Sequence, residues 1–396
     1  QHGPPAPPPS PADVRSMLAG VMDPELHVSI VELGMVDDVE VADDGAVRVQ
    51  VALTTAGCPL RHQISTEVKQ KLLGLPGVTA VSVGYGEMTA EQKARAMDRA
   101  RFQARERAAP TEVTAATRVI AVASGKGGVG KSSVTVNLAA GLAARGLTVG
   151  VLDADIWGFS VPRLLGVEGR LSGADGKIHP HEVPVPAGPA GPGGTVKVVS
   201  MGFLVEDEAT ALMWRGLILT KAVEQFLTDV RWGDLDYLLV DMPPGTGDVQ
   251  MGLARLLPQA EMLVVTTPAR NAQKVATRVA DMARRSFMKV IGVVENMSEF
   301  VTPGGERFAI FGEGGGEALA AEIGVPLVAR VPIEPAVSVD GDEGRPAVLA
   351  SPDGAAAAAF RDLAEQIVTD LLPPLELGGC TARILAAATA AAEALD

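Results

Sequence analysis

The stretch Gly125-Lys126-Gly127-Gly128-Val129-Gly130-Lys131-Ser132 constrains this chain more than any other. It fits the phosphate-loop pattern G-x-x-x-x-G-K-[ST], and its flanks fit the structure that the pattern needs. Residues 118–124 are apolar and β-branched, as in a buried parallel strand, and Val134, Leu138 and Leu142 follow at helical spacing. Strand, glycine loop and helix together make an anion site. The glycines let backbone N–H groups turn toward a phosphate with no Cβ in the way, and the helix N-terminus adds partial positive charge. Lys131 is placed to reach the β- and γ-phosphates, and the Ser132 hydroxyl to bind Mg²⁺. These eight residues and Ser133 are the expected nucleotide-binding set.

Two more apolar runs end in carboxylates. Residues 148–153 close on Asp153-Ala154-Asp155, and residues 235–241 close on Asp241, before Pro243-Pro244-Gly245-Thr246-Gly247. Carboxylates at strand ends lie where ligands bind in open α/β sheets. Asp241 is the expected second magnesium contact of a phosphate-loop enzyme. Residues 261–266 and 289–296 read as further parallel strands with a helix between them. The expectation is a doubly wound, mostly parallel α/β sheet over 115–372.

Ahead of it lies a small α+β domain, expected over 10–88. Ser10-Pro11 starts a helix, with Ser10 as N-cap and Pro11 at its first position. Val36 to Val41 reads as a strand; Val47, Val49, Val51 and Leu53 alternate as a half-buried strand, and a last strand is expected over 78–83. Pro59 just inside a helix start puts Cys58 at an N-cap, where the helix dipole favours a thiolate. Residues 1–9 are proline-rich and expected disordered, 89–114 a basic linker helix acting as a solvated tether, 179–194 a Pro/Gly surface loop, and 373–396 an alanine-rich tail.

The net charge of −14 argues against a general nucleic-acid surface. No apolar run reaches the length of a membrane span, and no charged-then-apolar leader is seen. Two cysteines, Cys58 and Cys380, are too few for a disulfide framework, so the expected setting is a reducing cytoplasm, with neither nucleic acid nor membrane as partner.

G-K-G-G-V-G-K-S resembles the phosphate loop of the MinD/ParA group of ATPases. That resemblance implies that Lys126 crosses a homodimer interface to the partner's phosphates, as an arginine finger does. It also implies that Asp155 orients or deprotonates the attacking water, and that Asp153 holds Mg²⁺ through water. The Pro-Pro-Gly-Thr-Gly turn resembles the second switch, whose backbone senses the γ-phosphate. Asn296 resembles the residue that hydrogen-bonds adenine, and Pro332 lies in a segment like the one that packs against the base.

Asp23-Pro24-Glu25, Val31-Glu32-Leu33-Gly34-Met35-Val36 and Thr54-Thr55-Ala56-Gly57-Cys58-Pro59 resemble the small domain of SufT/PaaD-type iron–sulfur assembly factors. Joined to such a phosphate-loop domain, they resemble the Mrp/ApbC family of iron–sulfur cluster carriers. The resemblance implies an ATP- and Mg²⁺-dependent homodimer that loads a [4Fe–4S] cluster onto apo iron–sulfur proteins; on this chain its ligands would come from Cys58, Cys380, a partner's thiols or a small molecule. One departure bears on this. Where the family carries Cys-x-x-Cys, this chain reads Thr302-Pro303-Gly304-Gly305, which supplies no thiolate. A positioning ATPase of the ParA/MinD kind, or a scaffold locked by nucleotide without a cluster, stays open as an alternative.

Overall fold

The computed structural model describes residues 7–24, 28–53, 61–188, 191–204, 216–245, 247–286, 288–302 and 306–375. Cys58, Cys380, Thr246, residues 303–305 and the alanine-rich segment from 376 onward lie outside the described residues. The chain divides into two compact units, Gln1–Arg107 and Ala108–Asp396.

In the first unit, α1 (Pro11–Leu18) begins as its sequence dictates. Asp13 N–H donates to Ser10 Oγ at 3.2 Å, and the Asp13 carboxylate accepts from the Ser10 backbone at 3.0 Å. β1 (Val36–Val41) pairs antiparallel with β2 (Ala46–Leu53), and β3 (Ala80–Glu87) pairs parallel with β2. Helix α2 (Arg61–Leu73) turns Ile64, Val68 and Leu72 into the core beside Val47, Val49 and Val51. Strand β3 starts two residues later than expected and runs four further, through Gly84 and Gly86. At Gly84 the Gln50 side chain lies against the strand, its Oε1 2.1 Å from where a Cβ would stand. Helix α3 (Ala90–Arg107), expected as a solvated tether, is instead a packed part of this unit. Ala96 and Ala100 are buried, Arg99 Nη1 donates to the Glu32 carbonyl at 2.7 Å, and Gln92 Nε2 to Asp37 Oδ1 at 2.9 Å.

The second unit alternates strands and helices. Its elements are β4 (Arg118–Ser124), α4 (Lys131–Ala144), β5 (Thr148–Asp153), the short α5 (Val161–Leu164), a small ribbon of β6 (Ser172–Ala174) and β7 (Lys177–His179), then β8 (His181–Val185) and β9 (Gly194–Ser200). After these come α6 (Gly216–Thr228), β10 (Tyr237–Asp241), α7 (Asp248–Leu256), β11 (Glu261–Thr266), α8 (Arg270–Arg285), β12 (Lys289–Val301), β13 (Arg307–Phe308) and α9 (Gly315–Ile323). The chain closes with β14 (Leu327–Ile333), α10 (Pro335–Asp342), α11 (Ala347–Ala350) and α12 (Ala355–Gln366).

Among the described residues one nine-stranded sheet runs in the order β13-β12-β11-β4-β10-β5-β9-β8, with β14 also on β12. Among the described residues only β13 and β8 are antiparallel to their neighbours. Residues 181–185, expected within a loop, therefore form a strand. Pro184 has no N–H to offer a ladder, and it is tolerated because β8 has a free outer edge.

One core packs α6, α7, α8 and α9 on one face through Phe226, Leu253, Val279 and Leu319. The other packs α4 and α12 on the opposite face through Leu138, Leu142, Phe360 and Leu363. Helices on both faces of a parallel sheet make a doubly wound fold, as expected. Its central strand β4 leads straight into the glycine loop, and the carboxyl ends of β4, β5 and β10 meet at one place. Among the described residues no helix is long and apolar enough to cross a membrane.

Candidate functional site

The loop from Gly125 to Lys131 takes its shape from its glycines. Gly128 and Gly130 sit at φ +79° and +77°, in the left-handed region that a side chain disfavours. Gly125 serves the fold instead: a Cβ there would meet the backbone N of Ala276 at 2.4 Å, so it lets α8 pack against the loop. Val129 turns into the core. Lys126, Gly127, Gly128, Gly130, Lys131, Ser132 and Ser133 line an open cleft of about 580 Å³. The far wall comes from Asp155, Trp157, Gly158 and Ser160 after β5, and from Pro243, Pro244, Gly247, Val249 and Gln250 after β10. Phosphate loop and both expected switches thus face one cavity.

Beneath the cleft the charges are tightly paired. Lys131 Nζ lies 2.7 Å from Asp241 Oδ1 and 3.8 Å from Asp155 Oδ2, with all three side chains buried or nearly so. Asp241 also accepts from Ser132 Oγ at 2.5 Å and from Thr135 Oγ1 at 2.9 Å. The lysine that would meet phosphate is therefore paired with a carboxylate. Burial raises the Asp155 carboxyl above the usual carboxylate range, with Lys131 opposing the shift. Asp155 Oδ1 is buried with no hydrogen-bond partner, an orphan that a bound cation or water would satisfy.

Asp153, expected to hold Mg²⁺ through water, is tied into the turn that follows β5. It is fully buried, and its two oxygens accept from the N–H groups of Asp155, Ser160 and Val161 and from Ser200 Oγ, at 3.1 to 3.3 Å. Burial first, and the nearby Asp241 second, push its carboxyl up to about 7. Asp153 thus anchors the turn that carries Asp155. Asn296, expected at the base, donates from Nδ2 to the Val129 carbonyl at 2.9 Å and so buttresses the phosphate loop. Neither it nor Pro332, on β14, lines the cleft. Lys126 lines the cleft and is exposed, and among the described residues it has no ion-pair partner.

Thr135 and Gln250 were not singled out from sequence. Thr135 stands four residues after Lys131, one helical turn on, a spacing that could have flagged it. Gln250 stands at the third position of α7, where a glutamine often caps its own helix.

Residues 115–368 match the model of the NUBPL iron-transfer P-loop NTPases. The chain belongs to that family. Residues 11–83 separately match the model described as iron–sulfur cluster assembly protein. A relative from Mycobacterium bovis, named iron–sulfur cluster carrier protein, is 44% identical over 368 residues, covering 90% of this chain and 93% of its own. One of the same name from Deinococcus radiodurans is 43% identical over 353 residues, covering 88% and 92%. A nucleotide-binding protein from Archaeoglobus fulgidus, solved with ADP, is 37% identical and superposes with a TM-score of 0.48, covering 58% of this chain and 87% of its own. Family membership makes the second unit a nucleotide-hydrolysing domain in kind.

Proposed function

We propose that this protein hydrolyses ATP with Mg²⁺, as a homodimer, and uses the cycle to load iron–sulfur clusters onto apo-proteins or hand them over. The observation that carries the nucleotide half is the buried Lys131–Asp241–Ser132 cluster under a glycine loop, with the unpaired Asp155 oxygen beside it. The cluster half is supported by the two family matches and by the name the relatives share.

The donor set fits a magnesium nucleotide. Among the described residues no three His, Cys, Asp or Glu side chains gather as a self-sufficient metal site. Magnesium asks for less, commonly one or two carboxylates completed by phosphate oxygens and water. Ser132 and Asp241 would hold it, with Asp155 nearby. When bound it would neutralise charge developing on the transferred phosphoryl group.

The chain's own residues do the rest. Backbone N–H groups of the loop grip the phosphates, and Lys131 leaves Asp241 for the β- and γ-oxygens. Asp155, released from Lys131, accepts a hydrogen bond from the attacking water and orients it in line. Trp157, Pro243 and Pro244 line the cleft opposite the loop. Lys126, exposed on the cleft lining, is assigned to the phosphates of the second subunit.

The cluster is cargo, and Cys58 is its assigned contact on this chain. Anaerobic reconstitution with iron and sulfide, counting both per dimer, tests this in wild type and Cys58→Ser. The proposal expects cluster in the wild type and its loss in the variant. Equal metal in both would remove Cys58 from the ligand set, and none in either would contradict the carrier function.

A further inference from the structure

The turn between β10 and α7 opens on Pro243-Pro244, whose rings fix φ, and continues through Gly245 at φ +92°. Among the described residues, one side chain bonds to three points of its backbone. Gln250 is fully buried, and its amide reaches three backbone groups of the turn at once. Nε2 donates to the Pro243 carbonyl at 3.1 Å and to the Gly245 carbonyl at 2.6 Å, while Oε1 accepts from Gly247 N–H. The last contact alone would be ordinary capping by a glutamine at the third helical position. The other two reach back across the turn into the cleft wall, and they use both N–H groups of the amide. Gly245 N–H is meanwhile tied to the Ser124 carbonyl at 2.9 Å, at the root of the phosphate loop.

We propose that Gln250 is a positioning residue for hydrolysis, a three-point clamp that registers Pro243, Gly245 and Gly247 against the phosphate loop. The proposal rests on the hydrolysis reading above. Only a primary amide supplies two donors and an acceptor in this arrangement. An alanine leaves two carbonyls and one N–H unheld beside the site of chemistry. An ionised glutamate of the same size presents an acceptor to the two carbonyls and drives them off. A protonated glutamate restores part of the clamp, since one oxygen donates while the other still accepts from Gly247. The phosphate grip comes from residues 126–133 and is untouched by either change.

The test uses the full-length chain, wild type, Gln250→Ala and Gln250→Glu, with ADP titration, steady-state ATP turnover and hydrogen exchange of the 243–250 segment. ADP affinity should stay within about threefold, while kcat falls at least about tenfold in both variants, the rate equivalent of one buried hydrogen bond lost. Exchange in the segment should quicken in Gln250→Ala. The turnover of Gln250→Glu relative to wild type should climb as pH drops from about 8 to about 6, a signature that lost packing would not produce. Turnover within about twofold of wild type in both variants overturns the proposal, as does affinity falling in parallel with kcat. Should the wild type bind nucleotide yet show no turnover, the hydrolysis reading fails. The clamp is then judged by exchange alone: unchanged protection in Gln250→Ala overturns it.

Discussion

Replacing Lys131 by alanine should destabilise the nucleotide-free protein, quite apart from its effect on nucleotide. Lys131 Nζ stands 2.7 Å from Asp241 Oδ1, and the two side chains are 6% and 0% exposed, so water screens the pair little. At an effective dielectric of about 20, unit charges that close attract by ~6 kcal/mol. Desolvation offsets part of that, and truncating one member of a buried pair costs about 3–5 kcal/mol, because the other charge is left without a partner. Here Asp155, 3.8 Å away, loses the same counter-charge. For a unit of this size each kcal/mol moves the melting temperature by about 2–4 °C, so a fall of about 6–20 °C is expected. Differential scanning calorimetry of nucleotide-free wild type, Lys131→Ala and Lys131→Ala/Asp241→Asn reads it directly. The double variant should recover part of the loss, since it removes the stranded charge. Saturating ADP at about 100 times its dissociation constant should stabilise the wild type by ~2.7 kcal/mol and leave Lys131→Ala unmoved. A Lys131→Ala protein that melts within about 2 °C of wild type would refute the claim that this lysine is the counter-charge of the buried cluster.

Lys126→Ala should bind ADP as the wild type does and lose at least about tenfold in turnover, a modest demand beside finger-type contributions; an unchanged rate removes its cross-dimer role. Gly125→Ala should cost about 1–3 kcal/mol or more, because its Cβ would sit 2.4 Å from the Ala276 backbone N; chemical denaturation measures this, and a neutral result contradicts the packing. The Asp153 carboxyl, pushed up to about 7 by burial and Asp241, keeps its proton in the folded chain where the unfolded chain, near 3.8, has released it. Its contribution to stability is therefore full below the unfolded value and is lost as pH rises through 7, so the melting gap between wild type and Asp153→Asn should narrow from about pH 5.5 to about pH 8. A gap constant across that range rules the raised value out. ATP-dependent retention on DNA or on anionic vesicles is not expected, and observing it by co-sedimentation would favour a positioning ATPase.

The parts of the site that follow from local pattern were legible in the sequence. Gly128, Gly130, Lys131 and Ser132 announce themselves because a phosphate loop demands those residue types at fixed spacing. Asp155 and Asp241 follow from strands that are apolar on both faces and so end where ligands bind. Ser10 was legible as an N-cap for the same reason of locality. What escaped depends on partners distant in sequence. The anchoring bonds of Asp153 to Ser200, from β9, and to the N–H groups of Ser160 and Val161 could not be read from its own strand. Gln250 reads as a capping glutamine until its amide is found on Pro243 and Gly245. Helix α3 reads as a tether because its many charges mask a narrow face of Ala96 and Ala100. Strand β8 hides behind Pro184, which is acceptable at a sheet edge, and among the described residues no strand lies beyond it.

Calorimetric titration of folded wild type and Lys131→Ala with ATP and magnesium, under conditions too brief for turnover, bears most directly on the whole account. One nucleotide per chain in the wild type and none in the variant is the predicted result. A wild type that is folded by circular dichroism and takes up no heat, or a variant that binds as tightly, would contradict it.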